Sequence, residues 1–496
     1  MEPALRELKQ RLGEIVDLGR AQAVLYWDME VYMPPGGGPS RAAQLSSLAS
    51  VIHGRMIDDR IGELLDELGP HAASLPRESD DACLLRVARR DWEKARRVPT
   101  ELMAELTKTA AESYEAWVRA REDDDFASFK PWLERVIDLR LRYVECFAPY
   151  DDPYDVLLDD YDWGMKTQDV RDVFAVLEPD LVALVAEHAV DEADAFEGPF
   201  PIAAQEVLSR QLVEAMGATW DQFRLDVTVH PFCTSFGLGD VRLTTRYTED
   251  DFHSIFTALH EGGHGVYEWG SSPSLDRTPL CGCESATLHE SQSRLWENVV
   301  GRSLPFWRWF YPRLQEAFPS QLGGVSLEEL HRSVNRARRS HIRVDADETT
   351  YGLHIMLRFE LEQELIHGRL AVQDLPEAWN TRFEELMGIP VPDDRRGVLQ
   401  DAHWAGGGFG YFPTYLLGSV VSVQIWERAK AAIPDIEEQI ERGELGELHA
   451  WLRENLYALG SKFPPLETIE RIAGGPIDPQ PYLAYLRAKL GALAAA

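Results

Sequence analysis

The stretch FTALHEGGHGVYEW, residues 256–269, places two adjacent glycines inside a segment whose apolar residues otherwise recur at helical spacing. Each glycine in a helix costs about 1 kcal/mol relative to alanine. His260 and His264 flank Gly262 and Gly263, and residues four positions apart share one face of a helix. We therefore predict a helix in which the absent side chains let another backbone or a substrate approach closely.

The two histidines and the glutamate beside the first one form an HExxH pattern, which is typical of zinc peptidases. Two imidazoles one helical turn apart can bind one Zn²⁺ ion, and Glu261 lies about 100° further round the axis, where it can reach a water molecule. Zinc would acidify that water and polarise a carbonyl. Glu261 is predicted to take the proton and pass it to the leaving amine. Since the pattern is short, a chance match on a surface helix is the alternative.

A catalytic zinc site needs a third protein ligand and one open position. The next helical stretch, ESATLHESQSRLWENVVG at 284–301, offers four candidates, namely Glu284, His289, Glu290 and Glu297. Glu290 is followed by apolar residues at helical spacing, which indicates that its helix is packed. This favours Glu290 as the third ligand. Spacing alone does not exclude the other three, and a solvated helix face is the ordinary explanation for any one of these acids.

The segments LDVTVHPF (225–232) and DVRLTTRY (240–247) alternate and are β-branched, which predicts an antiparallel pair. Thr248 follows as a predicted N-cap of the HExxH helix. Helical spacing dominates elsewhere, for example at 80–119, 127–147, 168–190, 203–217, 326–367, 418–443 and 444–459. We predict a mainly α fold with a small antiparallel sheet beside the histidines.

Composition excludes several functions. The chain has 496 residues and a formal net charge of −33, which disfavours nucleic acids and anionic membranes as partners. No run of about 18 apolar residues predicts a membrane span, and the N-terminal segment lacks the pattern of a signal peptide. The five cysteines argue against a disulfide framework. We expect reduced thiols and a cytoplasmic protein.

Peptide hydrolysis also needs a donor for the developing oxyanion. The segment GVLQDAHWAGGGFGYFPTY at 397–415 offers His403, Tyr411 and Tyr415, although a packed aromatic loop would explain the same residues. Removal of single C-terminal residues would further require a cation for the free carboxylate, for which arginine is the best geometric match. Candidates are Arg343, Arg242 and Arg246, each of which could instead form a structural ion pair.

Six motifs in a fixed order resemble the carboxypeptidase Taq family, the thermostable carboxypeptidase-1 type of metallocarboxypeptidase. They are HPF (230–232), DVRLTTRY (240–247), HEGGH (260–264), HESQSRLWENVVGRS (289–303), IRVDADETTY (342–351) and GVLQDAHWAGGGFGYFPTY (397–415). LYWDMEVYMPPGG and LLDDYDWGM look similar too, so the resemblance runs from about residue 5 to about residue 490. It implies a neurolysin-like helical fold with a deep central groove. One catalytic unit is expected over residues 1–496, in which two helical subdomains can flank that groove.

The resemblance also implies a homodimer and a zinc ion that Co²⁺ can replace. It implies stepwise release of C-terminal amino acids from peptides with a free C-terminus, with broad specificity and poor action on proline. The implied metal ligands are His260, His264 and Glu290, with Glu261 as base and acid. The implied catalytic or substrate-binding residues are His403, Tyr411, Tyr415, Arg343, His230, Asp240, Arg242 and Thr244. An oligopeptidase or endopeptidase on the same fold is the alternative enzyme. A metal-binding protein without catalysis is a third possibility, against which the intact Glu261 argues.

Overall fold

The computed structural model describes residues 2–190, 192 and 194–495, and most of them are helical. The N-terminal half contains α1 (Glu2–Val31), α2 (Gly38–Met56), α3 (Asp59–Ala72), α4 (Asp80–Arg97), α5 (Thr100–Asp123), α6 (Phe126–Glu145), α7 (Pro153–Leu158), α8 (Thr167–His188) and α9 (Ile202–Ala215). The predicted helix over 80–119 is thus two helices, because Pro99 cannot donate a backbone hydrogen bond and starts a new one.

A three-stranded sheet follows, consisting of β1 (Phe223–Val227), β2 (Cys233–Ser235) and β3 (Val241–Thr245) in the order β1-β3-β2. The predicted antiparallel pairing of 225–232 with 240–247 is wrong, because β1 runs parallel to β3. The antiparallel partner of β3 is β2, joined to it by a tight turn in which the Phe236 N–H donates to the Asp240 carbonyl. The hairpin therefore exists, but its first strand begins at Cys233.

The remaining helices are α10 (Ser254–Trp269), α11 (Ala286–Arg294), α12 (Leu304–Ala317), α13 (Pro319–Leu322), α14 (Leu327–Asn335), α15 (Glu348–Ile366), α16 (Leu375–Met387), α17 (Phe412–Ala432), α18 (Ile436–Arg442), α19 (Gly446–Asn455), α20 (Pro465–Ala473) and α21 (Gln480–Ala495). A π-helical turn, Leu295–Val300, continues α11. The segment predicted as helix over 326–367 is split into α14 and α15, and the intervening loop carries Arg343. Across the described ranges, no helix combines the length and apolarity needed to cross a bilayer.

The helix that bears the HExxH pattern begins later than predicted. Thr248 is not its N-cap, since α10 starts at Ser254. The buried side-chain amide of Gln205 donates to the carbonyls of Thr248 (2.6 Å) and Asp251 (3.1 Å), while Ser254 Oγ donates back to Gln205 Oε1. These bonds engage the carbonyl groups of Thr248 and Asp251 outside the helix, which begins at Ser254.

The main hydrophobic core surrounds α15 and α17, whose buried residues cover most of each helix circumference. A smaller core under the sheet packs Val241 and Leu243 against Ala258 of α10. A third joins α1, α3 and α4. The predicted mainly α fold with one small sheet is confirmed. The single catalytic unit over 1–496 stays a prediction, and residues 1, 191, 193 and 496 lie outside the described part of the chain.

Candidate metal centre

The two central glycines of α10 face different neighbours. A Cβ added at Gly263 would lie 2.6 Å from the carbonyl oxygen of Gln292, so the backbone of α11 occupies the space of a side chain. A Cβ at Gly262 would meet the Met216 thioether at 2.8 Å. The predicted close approach of another backbone is therefore confirmed at Gly263, and it brings α11 against the histidine face of α10.

This packing brings three of the predicted ligands together. Donor atoms of His260, His264 and Glu290 all lie within 4.8 Å of one another. Nε2 of His260 is 3.8 Å, and Nε2 of His264 is 3.6 Å, from the same carboxylate oxygen, Glu290 Oε2. In a tetrahedral zinc site with bonds of about 2.0–2.1 Å, neighbouring ligand atoms are about 3.4 Å apart. The donor set and its spacing therefore fit a zinc-sized cation.

Neighbouring side chains keep the carboxylate of Glu290, the third predicted ligand, ionised. Arg294 Nε donates to Glu290 Oε1 at 2.6 Å, and Ser293 Oγ donates to Oε2 at 3.0 Å. Burial opposes ionisation, but Arg294 and the neighbouring histidines outweigh it and hold the pKa of Glu290 well below its usual range. Glu290 is thus a carboxylate, which is the form that binds a metal.

The other three third-ligand candidates have different partners. Glu297, on the π-helical turn, contacts His260 Nδ1 at 2.9 Å, and His289 Nδ1 lies 2.6 Å from His264 Nδ1. Glu284 is exposed and pairs with an arginine of α4 at 3.1 Å. Glu297 and His289 therefore contact the nitrogen of each histidine that points away from Glu290.

Glu261 lies beside these donors and is 6% exposed. Burial raises its pKa to about 7, an effect that His260 opposes and the charges of Glu290 and Glu297 reinforce. Among the described residues, its Oε2 atom has no hydrogen-bond partner. A buried carboxylate oxygen without a partner is available to accept a proton from a reactant.

Two arginines next to this centre share one carboxylate. Arg343 donates to Asp401 Oδ1 through Nε (3.1 Å) and Nη2 (2.8 Å), and Arg358 Nε donates to Asp401 Oδ2 at 2.7 Å. Arg343 is 6% exposed and Arg358 is fully buried. Although burial opposes it, both guanidinium groups hold the pKa of Asp401 far below its usual range. The group carries one more positive than negative charge.

His403, Tyr411 and Tyr415, the predicted oxyanion donors that follow Asp401, lie against one another. His403 Nε2 lies 3.4 Å from the Tyr415 hydroxyl, and the His403 ring stacks on Tyr411 at 5.7 Å. Burial lowers the pKa of His403 to about 4, so its imidazole is neutral near pH 7. Burial and the Glu290 charge raise the pKa of Tyr411 to about 12, which keeps its hydroxyl protonated.

A buried carboxylate of α15 holds both ends of this loop. Glu362 accepts hydrogen bonds from Trp404 Nε1 (2.7 Å), the Gly410 N–H (2.9 Å) and the Tyr154 hydroxyl (2.6 Å). Burial outweighs these donors and raises the pKa of Glu362 to about 7. The bonds fix the chain on either side of residues 405–409.

The predicted residues of the sheet make local contacts. Arg242 donates to both oxygens of Asp240 (2.8 and 3.0 Å) and lies over the Trp27 ring at 4.3 Å. The buried Thr244 hydroxyl exchanges hydrogen bonds with the backbone of Phe232, and His230 is exposed. The contact of Arg242 with Trp27 joins the sheet to α1. A part in substrate binding stays a prediction for all four predicted residues.

Comparison with known proteins places this geometry in a family. The model of the carboxypeptidase Taq (M32) metallopeptidase family matches residues 7–490. The chain belongs to this family. It is 41% identical to thermostable carboxypeptidase 1 of Thermus thermophilus and 35% identical to that of Pyrococcus furiosus, over 98–99% of each chain. The solved M32 carboxypeptidase of Deinococcus radiodurans superposes with a TM-score of 0.95 at 41% identity, with all of both chains covered.

Membership of the M32 family makes the chain a metallocarboxypeptidase, which acts on peptides with the help of a metal ion. Sequence reasoning missed several neighbours of the M32 centre, chiefly Arg358, Glu362 and Glu268. The only arginine of α15, Arg358, stands in the largely apolar stretch IMLRF, so the sequence predicts that it is buried. A buried arginine needs a carboxylate partner, which is a signal that the sequence offered.

Proposed function

We propose that this M32 chain is a zinc carboxypeptidase that hydrolyses the last peptide bond of peptides and releases single amino acids. Its expected specificity is broad, with poor action on proline. The observation that carries the proposal is the convergence of two imidazole Nε2 atoms on one ionised carboxylate oxygen. Two nitrogens and one oxygen are a donor set that suits zinc and accepts cobalt. When bound, zinc would polarise the scissile carbonyl and acidify water.

The chain's own residues have distinct roles in this proposal. Glu261 accepts the proton that the attacking water loses and delivers it to the leaving amine. The Tyr411 and Tyr415 hydroxyls and the neutral His403 are candidate donors to the oxygen that becomes negative. Tyr411 suits this role because its raised pKa keeps the proton on the phenol.

Arg343 is proposed to bind the free carboxylate of the substrate. The surplus positive charge of Arg343, Arg358 and Asp401 is buried, and a buried unpaired charge favours an anionic ligand. Arg343 also donates to the Tyr351 hydroxyl at 3.0 Å, and the Tyr351 ring lies under the guanidinium that holds Glu290, at 4.5 Å. The Tyr351 ring thus lies between Arg343 and Arg294, the arginine that pairs with Glu290.

A peptide digest followed by mass spectrometry tests the reaction. We expect a ladder of single-residue losses from the C-terminus, abolished by a chelator and restored by Zn²⁺ or Co²⁺. Internal cleavage products would instead support the endopeptidase alternative, and turnover that survives full metal removal would contradict the proposal. The proposal includes a homodimer, which light scattering would test. A cytoplasmic location is proposed from the five free thiols.

An Arg343→Ala variant tests the carboxylate site. We expect kcat/KM for peptides with a free C-terminus to fall about 10²-fold, since truncating one member of a buried charged pair costs a few kcal/mol. Amidated peptides should react at the wild-type rate. Arg382→Ala is the matched control. Arg382 forms an ion pair with Glu360, with 2.6 Å between Nε and Oε2, and it takes no part in the cluster around Asp401. Equal losses for free and amidated peptides would contradict this role.

A further inference from the structure

The two histidines of the centre are supported differently at their second nitrogen. His260 Nδ1 contacts the Glu297 carboxylate directly at 2.9 Å. His264 Nδ1 instead contacts His289 Nδ1 at 2.6 Å, and His289 Nε2 contacts Glu268 Oε1 at 2.9 Å. A second histidine is therefore interposed between this ligand and its carboxylate.

The end of this chain of hydrogen bonds fixes its direction. Ser235 Oγ donates to Glu268 Oε2 at 2.8 Å, and a hydrogen bond from the Cys283 backbone N–H stabilises the same carboxylate. A Cβ at Gly282 would lie 2.9 Å from Glu268 Oε2, so the 281–283 loop packs directly on this oxygen. Glu268 is thereby surrounded by donors, and an ionised carboxylate can only accept.

The protons follow from this arrangement. Because Glu268 accepts, His289 carries its proton on Nε2 and presents a lone pair at Nδ1. His264 must then carry its proton on Nδ1 to complete the 2.6 Å contact. Its remaining lone pair is on Nε2, the atom that faces Glu290.

We propose that His289 and Glu268 are positioning residues that fix the Nδ1–H tautomer of His264 and so keep its Nε2 free to bind the metal. This inference rests on the proposed function, in which His264 binds a divalent cation. Support of this kind orients a ligand and raises its basicity, and its loss weakens metal binding by about 10- to 100-fold.

Glu268→Gln tests the proposal with almost no change in shape. If the amide oxygen keeps its bond to the Ser235 hydroxyl, the amide NH₂ faces His289 and moves the His289 proton to Nδ1. His264 would then hold its own proton on Nε2, which blocks the metal. The flipped amide would instead turn its NH₂ toward Ser235 and the 281–283 loop, whose Cys283 N–H is itself a donor, so the first orientation is favoured.

The measurement is the affinity of the metal-free full chain for Zn²⁺, by competition with a chelating dye, with the visible absorption of bound Co²⁺ as a second readout. Glu268→Gln should weaken zinc binding 10- to 100-fold and alter the cobalt spectrum. Glu284→Gln is the matched control, because Glu284 is an exposed carboxylate outside this chain of hydrogen bonds. It should bind zinc within twofold of wild type.

A second variant, His289→Asn, keeps an acceptor near His264 but breaks the link to Glu268, and should weaken zinc binding at least fivefold. A purely structural role would lower the melting temperature of the metal-free protein while leaving both metal readouts unchanged, and that result would overturn the proposal. Should Glu268→Gln not fold, wild-type zinc affinity in His289→Asn would overturn it alone. A wild-type chain that binds neither zinc nor cobalt would refute the proposed function itself.

Discussion

One methyl group at Gly263 should damage both stability and metal binding. The added Cβ would lie 2.6 Å from the Gln292 carbonyl oxygen and 2.9 Å from the Ser293 Cα. Ordinary contact needs about 3.5 Å, so α10 and α11 would have to separate by nearly 1 Å. The obstruction is backbone, which no change of rotamer relieves. Overpacking of this kind costs about 1–3 kcal/mol, partly offset by about 1 kcal/mol of helix propensity.

The separation would also move Glu290 away from the two histidines. A misplacement of about 1 Å can cost about 10²-fold in rate. For Gly263→Ala we therefore expect a net loss of up to about 2 kcal/mol in urea unfolding of the metal-free protein, together with weaker zinc binding and a lower kcat.

Gly262→Ala is the control next to it in the same helix. Its Cβ would meet only the Met216 thioether, at 2.8 Å, and a methionine side chain can change rotamer. It gains the same helix propensity, so we expect near-native stability and wild-type zinc affinity. If Gly263→Ala and Gly262→Ala proved alike in unfolding and zinc titration, the reasoning about the α10–α11 contact would be refuted.

Three further changes test other parts of the centre. Glu261→Gln should retain zinc by elemental analysis yet lose about 10²-fold or more in kcat, because an amide cannot accept the proton; an unchanged kcat would remove Glu261 from the mechanism. Burial raises the pKa of Glu362 to about 7, so the folded state holds this proton more tightly than the unfolded chain does. The free energy of unfolding should therefore fall by up to about 3 kcal/mol as the pH rises from about 4.5 to 7. Glu362→Gln should remove that slope from unfolding curves at pH 5–8, and parallel curves for the two proteins would contradict the assignment. Gly418→Ala would place a Cβ 2.7 Å from the Glu290 Cβ and Cγ and should weaken zinc binding about tenfold. Gly19→Ala, whose added Cβ would meet no atom within 4 Å, should leave the zinc affinity unchanged. Equal zinc affinities for the two variants would argue against tight packing behind Glu290.

Local spacing predicted the part of the centre that is built within one helix. His260, Glu261 and His264 follow from the periodicity of α10 alone, and the adjacent glycines correctly indicated a close neighbour. The mainly α fold followed from the same periodicity along the chain. These features depend on residues a few positions apart, for which helix geometry is sufficient.

Pairing between segments was beyond the sequence pattern. The alternation at 225–232 correctly indicated a strand, but β1 ends at Val227 and joins β3 in parallel, while three residues beginning at Cys233 form the hairpin. Thr244 of β3 binds the backbone of Phe232, which directly precedes β2, and no local pattern encodes this contact between separate segments. The third ligand posed the same difficulty.

Glu290 and Glu297 are seven residues apart and so project from nearly the same helix face. Their different contacts, one with the Nε2 atoms and one with His260 Nδ1, depend on the approach of α11 to Gly263 and on the π-helical turn. Spacing therefore narrows the choice to one helix face, but it does not distinguish a carboxylate that faces both Nε2 atoms from one that contacts His260 Nδ1.

The net charge of the whole chain does not predict the charge balance at the centre. The chain is strongly acidic, yet three carboxylates at the centre are paired with arginines: Glu290 with Arg294, Glu297 with Arg302, and Asp401 with Arg343 and Arg358. These pairs offset the charge of those three carboxylates before any metal binds, and Arg343 and Arg358 together leave one positive charge in surplus over Asp401. In the proposed reaction, a substrate carboxylate would be attracted by the metal and by this surplus arginine charge together, despite the acidic surface around them.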